Sequence, residues 1–385
     1  MQQSEDRILT THAGSLPRGP VLHELLKRKE KNAADIGPEF SMETEKAVYN
    51  AITEQVHAGI DIGNNGEQPR VGFSTYVTGR VKGFSGESSR PIRLDNKDFP
   101  DFAEMGAERL RLASRVMINP AAREELTYDN LAECQEECGQ FLRLVRAADK
   151  KFSECFMTAA SPGIVTTTMM NEYYESHEKY LAAIAREMKK EYETIHKQGL
   201  ILQLDCPDLA MERSWFFQEL TLPQFQERVQ QHIQAINDAV TNIPKEQIRL
   251  HVCWGNSNSP HVNDVPLGDI LPYLYEANVG ALSLELANPR HQHEYKLFKQ
   301  YPLPDSMVLI PGVIDSTVNY VEHPEVVADR ICQIVDAVGD RSRIIASTDC
   351  GFGTFAGLGS VATSVAWAKL KTLREGADMA SRRLW

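Results

Sequence analysis

The sequence lacks several features that would define a protein class at once. No stretch approaches about 18 consecutive apolar residues, so we expect no membrane-spanning helix. The first residues contain no apolar core like that of a signal peptide, which favours a cytoplasmic protein. Positive charge is scarce: 41 Lys and Arg stand against 53 Asp and Glu, for a net charge of -12, and no basic cluster interrupts this balance. We therefore expect no nucleic acid partner.

Cysteine is also too sparse for a disulfide framework. The chain has seven cysteines in 385 residues, an odd number without clustering. This usage predicts reduced thiols, as in a cytoplasmic protein. The chain also has no low-complexity run or internal repeat that would divide it. A chain of this length fits either two smaller domains or one large α/β barrel.

The order of apolar segments favours one barrel. Short apolar runs alternate with helical patterns, which is the arrangement of a (β/α)₈ barrel. We predict strands at 8–17, 59–63, 155–160, 200–205, 248–255, 279–285, 307–315 and 344–350. Helical patterns lie at 41–58, 176–198, 222–241, 267–278, 324–338 and 359–374. We therefore predict an α/β fold, a single catalytic (β/α)₈ TIM barrel over 1–385.

One long segment, residues 71–154, interrupts the alternation; we call it the excursion. It carries helical patterns near 102–117 and 121–149. Cys134 and Cys138 are four residues apart on the second pattern. They could share a metal, but a plain helix face is the simpler interpretation, because no second ligand pair lies near them in the sequence.

The segment 248–255 carries the first candidate metal ligands. His251 and Cys253 lie two residues apart, so both side chains face the same side of a strand. This pair alone also fits a core cysteine beside a hydrogen-bonded histidine. In a TIM barrel, however, the residues at the C-terminal strand ends meet at one rim. Glu285 and Cys350 end two further strands, and the resulting nitrogen, sulfur and oxygen ligands suit zinc.

Other strand ends also deliver polar side chains to this rim. Any one of them could simply be a cap or a turn residue. Three arginines follow strands, and each could bind a substrate carboxylate or sulfonate or remain a solvated loop residue. The strand-end residues are Ser15, Glu67, Ser161, Asp205 and Asp315, and the arginines are Arg18, Arg70 and Arg290.

Five motifs, in order, resemble the catalytic half of cobalamin-independent methionine synthases. They are Thr10-Thr11-His12-Ala13-Gly14-Ser15-Leu16-Pro17, Gly66-Glu67, Leu202-Gln203-Leu204-Asp205-x-Pro207, His251-x-Cys253 with Glu285, and Asp349-Cys350-Gly351. The resemblance covers nearly the whole chain. It implies the barrel of the methionine synthase II and uroporphyrinogen decarboxylase-like group.

The resemblance also implies a site. Zinc would be bound by His251, Cys253, Glu285 and Cys350. Ser15, Glu67 and Asp205 would hold the amino-acid part of a homocysteine-like thiol, with Arg18 and Arg70 as further substrate-binding candidates. The catalytic candidates are Asp205, Asp315 and Thr317.

Three departures from the family pattern limit the function that it implies. The sequence shows no counterpart of the family's N-terminal barrel, which helps to hold the folate, so we expect that barrel to be absent. Thr317 stands where the synthases place a catalytic histidine, and Cys206 stands in place of a glutamate. Single-barrel relatives, including the epoxyalkane:coenzyme M transferases (2-hydroxypropyl-coenzyme M lyases), therefore also resemble this chain.

All of these enzymes attack an electrophilic carbon with a thiol. A free thiol is only a few per cent thiolate at neutral pH, and zinc ligation deprotonates it. We therefore predict a zinc-dependent S-alkyltransferase, acting first on homocysteine or a similar thiol, with a donor that need not be folate. The alternatives are coenzyme M-type thiol alkylation or lysis, and a catalytically idle zinc-binding barrel. Its partners would be a small thiol and an alkyl donor, and a homo-oligomer is compatible with this interpretation.

Overall fold

The computed structural model describes residues 1–30, 37–112 and 119–385. Its strands are β1 Leu9–Thr10, β2 Ile62–Gly63, β3 Val81–Ser85, β4 Ala121–Tyr128, β5 Glu154–Ala160, β6 Met170–Asn171, β7 Ile201–Asp205, β8 Ile248–Val252, β9 Ala281–Leu284, β10 Val308–Ile314 and β11 Ile345–Thr348. Its helices are α1 Pro20–Glu30, α2 Gly37–His57, α3 Leu94–Asp98, α4 Pro100–Leu112, α5 Leu131–Ala147, α6 Pro162–Thr168, α7 His177–Lys197, α8 Leu222–Ala239, α9 Leu267–Leu274, α10 Pro324–Val338 and α11 Thr363–Leu384. No helix in these described ranges is long and apolar enough to cross a membrane.

Eight parallel strands form the barrel in the order β1-β11-β10-β9-β8-β7-β5-β2. The ring is closed between its two end strands by the backbone N–H of Asp61, which donates to the carbonyl of Thr10 at 3.1 Å. Each of the eight predicted strand segments contributes one of these strands. The predicted (β/α)₈ barrel is therefore confirmed.

The side chains inside the barrel form layers, because every second residue of each strand points inward. Phe156 pairs in register with Ile201, and two residues later Thr158 pairs with Gln203. The lower layer is an apolar floor that contains Leu9, Ile62, Phe156, Ile201, Ala281, Val308, Ile310 and Ile345. The upper layer is polar, and Asp205, His251 and Ser283 lie side by side in it. The chemistry-bearing side chains therefore lie above a packed floor, at the C-terminal strand ends.

The excursion differs from the sequence prediction of two long helices. Residues 121–128 form β4, not the start of a helix over 121–149, and β4 pairs with β3 and β6 in a separate three-stranded sheet. The helix α5 begins only after Asn130, whose side chain accepts the backbone N–H of Ala132. Because the pairing strand β3 is distant in sequence, the local helical pattern of 121–128 did not reveal it. Of the other predicted helix, 102–117, α4 covers the first part and residues 113–117 lie outside the described residues.

The last helix also differs from the prediction, while α10 matches it at both ends. The last helix begins at Thr363 and ends at Leu384, whereas we expected 359–374. Gly357 at φ 81° keeps the preceding loop out of helical geometry. At Gly376 the helix α11 packs closely on α10, because a Cβ there would lie 2.5 Å from Val327.

Candidate functional site

Three side chains of the kinds that bind metal ions lie together at one end of the barrel, and we call them the metal-type grouping. His251 lies on β8, Cys253 follows that strand, and Cys350 follows β11. Their ligand atoms lie within 4.8 Å of one another, and all three residues are buried. Among the described residues, Glu285 lies outside this grouping. The strand ends therefore bring together three of the four residues that we expected to bind zinc.

The electrostatics of the three side chains are coupled. A hydrogen bond from Cys350 lowers the pKa of the Cys253 thiol well below its ordinary value, and the same contact raises the pKa of Cys350. Burial lowers the pKa of His251, but its interaction with the neighbouring Cys253 raises that pKa overall. Cys253 is thus the thiol that ionises most readily here.

These residues fit a bound metal ion. The Nε2 atom of His251 is buried and has no hydrogen-bond partner in the described part of the chain. An unpaired buried nitrogen is costly, and two thiol sulfurs lie beside it. One nitrogen and two sulfurs are the ligand types that zinc prefers.

Glu285 is held close to this grouping by both carboxylate oxygens. Its Oε1 accepts the backbone N–H of Trp254 at 3.1 Å, and its Oε2 accepts the side-chain amide of Asn288 at 2.9 Å. Asp349 in turn accepts backbone N–H groups from 286–288 at 2.8–2.9 Å. Burial raises the pKa of Glu285, and the negative charge of Cys253 adds to the effect. The carboxylate is therefore positioned by its surroundings rather than free to rotate.

A cavity of about 890 Å³ opens over this grouping. It is large enough for two small substrates together. One wall comes from the excursion and another from the glycine-rich loop after β11. Its lining includes the three metal-type residues together with Ser15, Glu67 and Asp205.

Glu67 is held in a strained backbone conformation beside the cavity. Its φ of 53° lies in the left-handed region, which is costly for a residue with a side chain. Its Oε1 accepts the hydroxyl of Thr158 at 3.0 Å, while the buried Oε2 has no partner among the residues described. Gly14 allows this close approach, because a Cβ there would lie 2.8 Å from Oε1. Such strain is typical of functional positions.

Asp205 is the second carboxylate of the cavity. Burial raises the pKa of Asp205 to about 7. Its Oδ1 accepts the side-chain amide of Gln203 at 2.8 Å. Burial likewise raises the pKa of Glu67. Two poorly solvated carboxylates favour a cationic ligand group between them.

The arginines that we expected to bind substrate are engaged elsewhere. Arg18 donates to the backbone carbonyls of Gly353 and Glu67. Arg70, which is only 3% exposed, donates to both oxygens of Glu137 and to Thr158. Neither arginine lies among the residues that line the cavity. Their contacts indicate a structural role under the site, and their expected role in binding a substrate anion stays a prediction.

In the loop after β10, the residue that lines the cavity is Ser316, which lies between the two catalytic candidates Asp315 and Thr317. Thr317 and Asp315 hydrogen-bond to each other, whereas Ser316 lines the cavity. The hydroxyl of Ser316 donates to Asn256 at 3.0 Å, and the Asn256 amide donates to the carbonyl of Gly351 at 2.6 Å. The loops after β8, β10 and β11 are thus tied together over the site.

Sequence reasoning missed several residues at the cavity. Arg90 and Arg93 reach it from the excursion, and no local motif marks them. His291, which lies in a loop outside the cavity lining, is buried between Asp264 and Glu294. Burial lowers the pKa of His291, but these two carboxylates raise it overall to about 9. These residues are identified only by contacts between loops that are distant in the sequence, and a single sequence does not show such contacts.

Comparison with known proteins identifies a family model over the second half of the chain. Residues 157–377 match the catalytic domain of the cobalamin-independent synthase. This range contains the three metal-type residues, Glu285 and Asp205.

The individual matches have low sequence identity, but two of the three align with nearly the whole chain. A methionine synthase from Thermococcus kodakarensis is 25% identical over 377 residues, which span 97% of this chain and 94% of the relative. A 2-hydroxypropyl-CoM lyase from Xanthobacter autotrophicus is 28% identical over 205 residues, 46% of this chain and 50% of the relative. The solved structure of a B12-independent methionine synthase from Shewanella sp. has a TM-score of 0.69 at 19% identity, and the alignment covers 98% of this chain and 99% of that one. This structural likeness agrees with the TIM-barrel fold.

Proposed function

Because this chain belongs to the cobalamin-independent methionine synthase family, in the part that forms the catalytic domain, we propose that it transfers an alkyl group from a small donor to a thiol. The observation that carries the proposal is the grouping of His251, Cys253 and Cys350 within 4.8 Å beneath a cavity of about 890 Å³. A thiol-activating centre and room for two substrates are what such a transfer needs.

In the proposed reaction the acceptor sulfur forms a bond to the donor's alkyl carbon. The bond between that carbon and the leaving atom breaks, and the leaving atom keeps the electron pair. The thiol proton is released. Because the acceptor enters an enclosed site, much of the acceleration would come from aligning sulfur and carbon.

Zinc is the proposed cofactor. His251, Cys253 and Cys350 would hold it, with Glu285 as the fourth ligand, positioned by Asn288. Bound zinc would supply thiolate at neutral pH from a thiol that is otherwise mostly protonated.

The first proposed acceptor is homocysteine or a thiol like it. Glu67 and Asp205 supply poorly solvated carboxylates beside the metal-type grouping, and an ammonium group would pair with them. Ser15 is buried at the same end of the barrel and would contribute a further polar contact. The methionine synthase relative from Thermococcus kodakarensis supports this choice.

The second candidate is alkylation or lysis of a coenzyme M-type thioether. The relative named 2-hydroxypropyl-CoM lyase supports it. So does Thr317, which stands where the synthases place a catalytic histidine and which pairs with Asp315. A reaction that does not protonate a folate nitrogen has less need of that histidine.

A product screen tests the proposal. The purified, zinc-loaded protein is incubated with homocysteine or 2-mercaptoethanesulfonate, each paired with methyl donors and with epoxides, and S-alkyl products are read by mass spectrometry. S-methylation of homocysteine is the expected product. Product from the sulfonate thiol alone would select the second candidate. Zinc binding without product from any pair would instead support the idle zinc-binding barrel.

A further inference from the structure

The excursion is fastened to the barrel mouth by Arg93. Its guanidinium donates to the carbonyl of Trp254 at 3.1 Å, to Asp264 at 3.2 Å and to Ser214 at 3.3 Å. Gly255 allows the contact, because a Cβ there would lie 3.2 Å from Nη1 of Arg93. Arg93 therefore fixes this wall of the cavity to the loop after β8.

Arg90 lies on the same wall with much of its donor capacity unused. Its Nη2 donates to both oxygens of Glu212, and its guanidinium carbon lies 3.6 Å from the ring centroid of Trp215. The side chain is only 9% exposed and lines the cavity. Nevertheless, within the described residues its buried Nε and its Nη1 have no hydrogen-bond partner.

This arrangement resembles an anion-binding site more than a simple ion pair. The stack on Trp215 holds the guanidinium plane in place, and Trp215 is itself fixed by its ring N–H, which donates to the carbonyl of Pro91 at 2.6 Å. The buried Nε of Arg90 is left unpaired at a free-energy cost, and the side chain lines the cavity, where a ligand can reach it. A carboxylate, sulfonate or phosphate entering the cavity would satisfy these donors.

The residues that line the cavity thus include both carboxylates and arginines. Glu67 and Asp205 lie beside the metal-type grouping, while Arg90 and Arg93 lie on the excursion wall. The carboxylates suit the amino group of the thiol, which leaves the arginines for the other substrate. Building on the proposed function, we propose that Arg90 recognises an anionic group on the alkyl donor, so that the donor is a carboxylate, sulfonate or phosphate compound.

Matched donors test this proposal. Dimethylsulfonio-carboxylates with chains of increasing length are compared with ethyldimethylsulfonium, which transfers a methyl group but has no anion. The wild type should prefer a carboxylate donor of suitable length by about 10- to 100-fold in kcat/KM. Arg90→Gln should abolish that preference, and Arg90→Lys should retain part of it. Arg143→Gln, which removes an exposed arginine of the excursion, should keep it in full.

A binding measurement separates this inference from the proposed function. Methylthio-carboxylates, which cannot transfer a methyl group, are titrated calorimetrically into the wild type, Arg90→Gln and Arg90→Lys, each first checked for an unchanged melting temperature. Wild-type binding that weakens at least about tenfold in Arg90→Gln supports the site even if no donor is turned over. Equal binding in the wild type and Arg90→Gln, no binding to the wild type, or a mutational effect that follows the anion of the thiol rather than that of the donor, would overturn the proposal.

Discussion

Thr317 donates both its backbone N–H and its hydroxyl to one carboxylate oxygen of Asp315, each at 2.8 Å. The pair closes a turn directly after β10, and the Asp315 N–H donates to Glu322 at 2.9 Å. Glu322 is in turn paired with the fully buried Lys369 at 2.8 Å. The hydroxyl of Thr317 is therefore committed to shaping a loop whose neighbour, Ser316, lines the cavity.

We expect Thr317→Val to change kcat/KM by less than about fivefold, because the backbone N–H still binds Asp315 after the hydroxyl is lost. The stability cost should be about 1 kcal/mol, the usual size of one hydrogen bond. Steady-state kinetics and urea unfolding would measure the two effects. A larger loss of kcat at unchanged stability would instead support Thr317 as a catalytic residue.

We expect one zinc ion per chain in the wild type and its loss in Cys350→Ser, because a serine hydroxyl is a poor zinc ligand. Metal analysis after dialysis against a weak chelator would measure the content. Cys332→Ser is the matched control, since Cys332 is half-buried on α10 and is not part of the metal-type grouping. Equal zinc in the two variants would remove Cys350 from the ligand set.

We expect Asn288→Ala to weaken zinc binding by about 10- to 100-fold, the usual effect of removing a group that orients a metal ligand. The variant deletes the amide that holds Glu285 Oε2 at 2.9 Å. Competition with a coloured chelator would measure the affinity. Asn242→Ala removes a surface amide that binds Glu193 at 2.8 Å and should leave the affinity unchanged. Wild-type affinity in Asn288→Ala would show that Asn288 does not position a ligand.

The barrel could be predicted from the sequence because its signals are local. Each strand is a short apolar run, and the two-residue period of β8 by itself places His251 and Cys253 on one face. The chain then brings Cys350 to the same end of the barrel, as the parallel topology requires.

The excursion and the arginines could not be predicted in this way. The strand β4 depends on pairing with β3, about 40 residues earlier in the chain. Arg18 and Arg70 look like free loop arginines until the carbonyls and the carboxylate that they bind are placed beside them. Arg90 becomes a candidate only once the excursion is seen to form a wall of the cavity.

We expect part of the acid sensitivity of folding to come from His12. Burial lowers the pKa of His12 to about 4 from 6.5, although its hydrogen bond with Gln55 at 2.7 Å opposes the shift. Because the unfolded chain takes up this proton first, the contribution is complete above about pH 6.5 and is lost as the pH falls toward 4. The loss amounts to at most about 3 kcal/mol.

Urea unfolding of the wild type and His12→Gln between pH 7 and about 4.5 would measure this contribution. The glutamine variant cannot titrate, so its stability should fall less steeply over that range. Carboxylates that titrate in the same window are common to both proteins and cancel in the difference. Parallel pH profiles would show that His12 does not carry the effect.

Finally, we expect Asp205→Asn to raise the homocysteine concentration required for activity by about one to two decades. A charge-assisted hydrogen bond from a carboxylate to a buried ammonium contributes roughly 1.5–3 kcal/mol. Burial raises the pKa of Asp205 to about 7, so the wild-type carboxylate ionises as the pH rises through neutrality. The difference between the two proteins should therefore widen from about pH 6 to about pH 8. The amino-free thiol 4-mercaptobutanoate, tested with the same donor, should lose little from the substitution. If that thiol is instead the better substrate of the wild type, an amino acid is not the acceptor, and the coenzyme M-type reaction becomes the leading candidate.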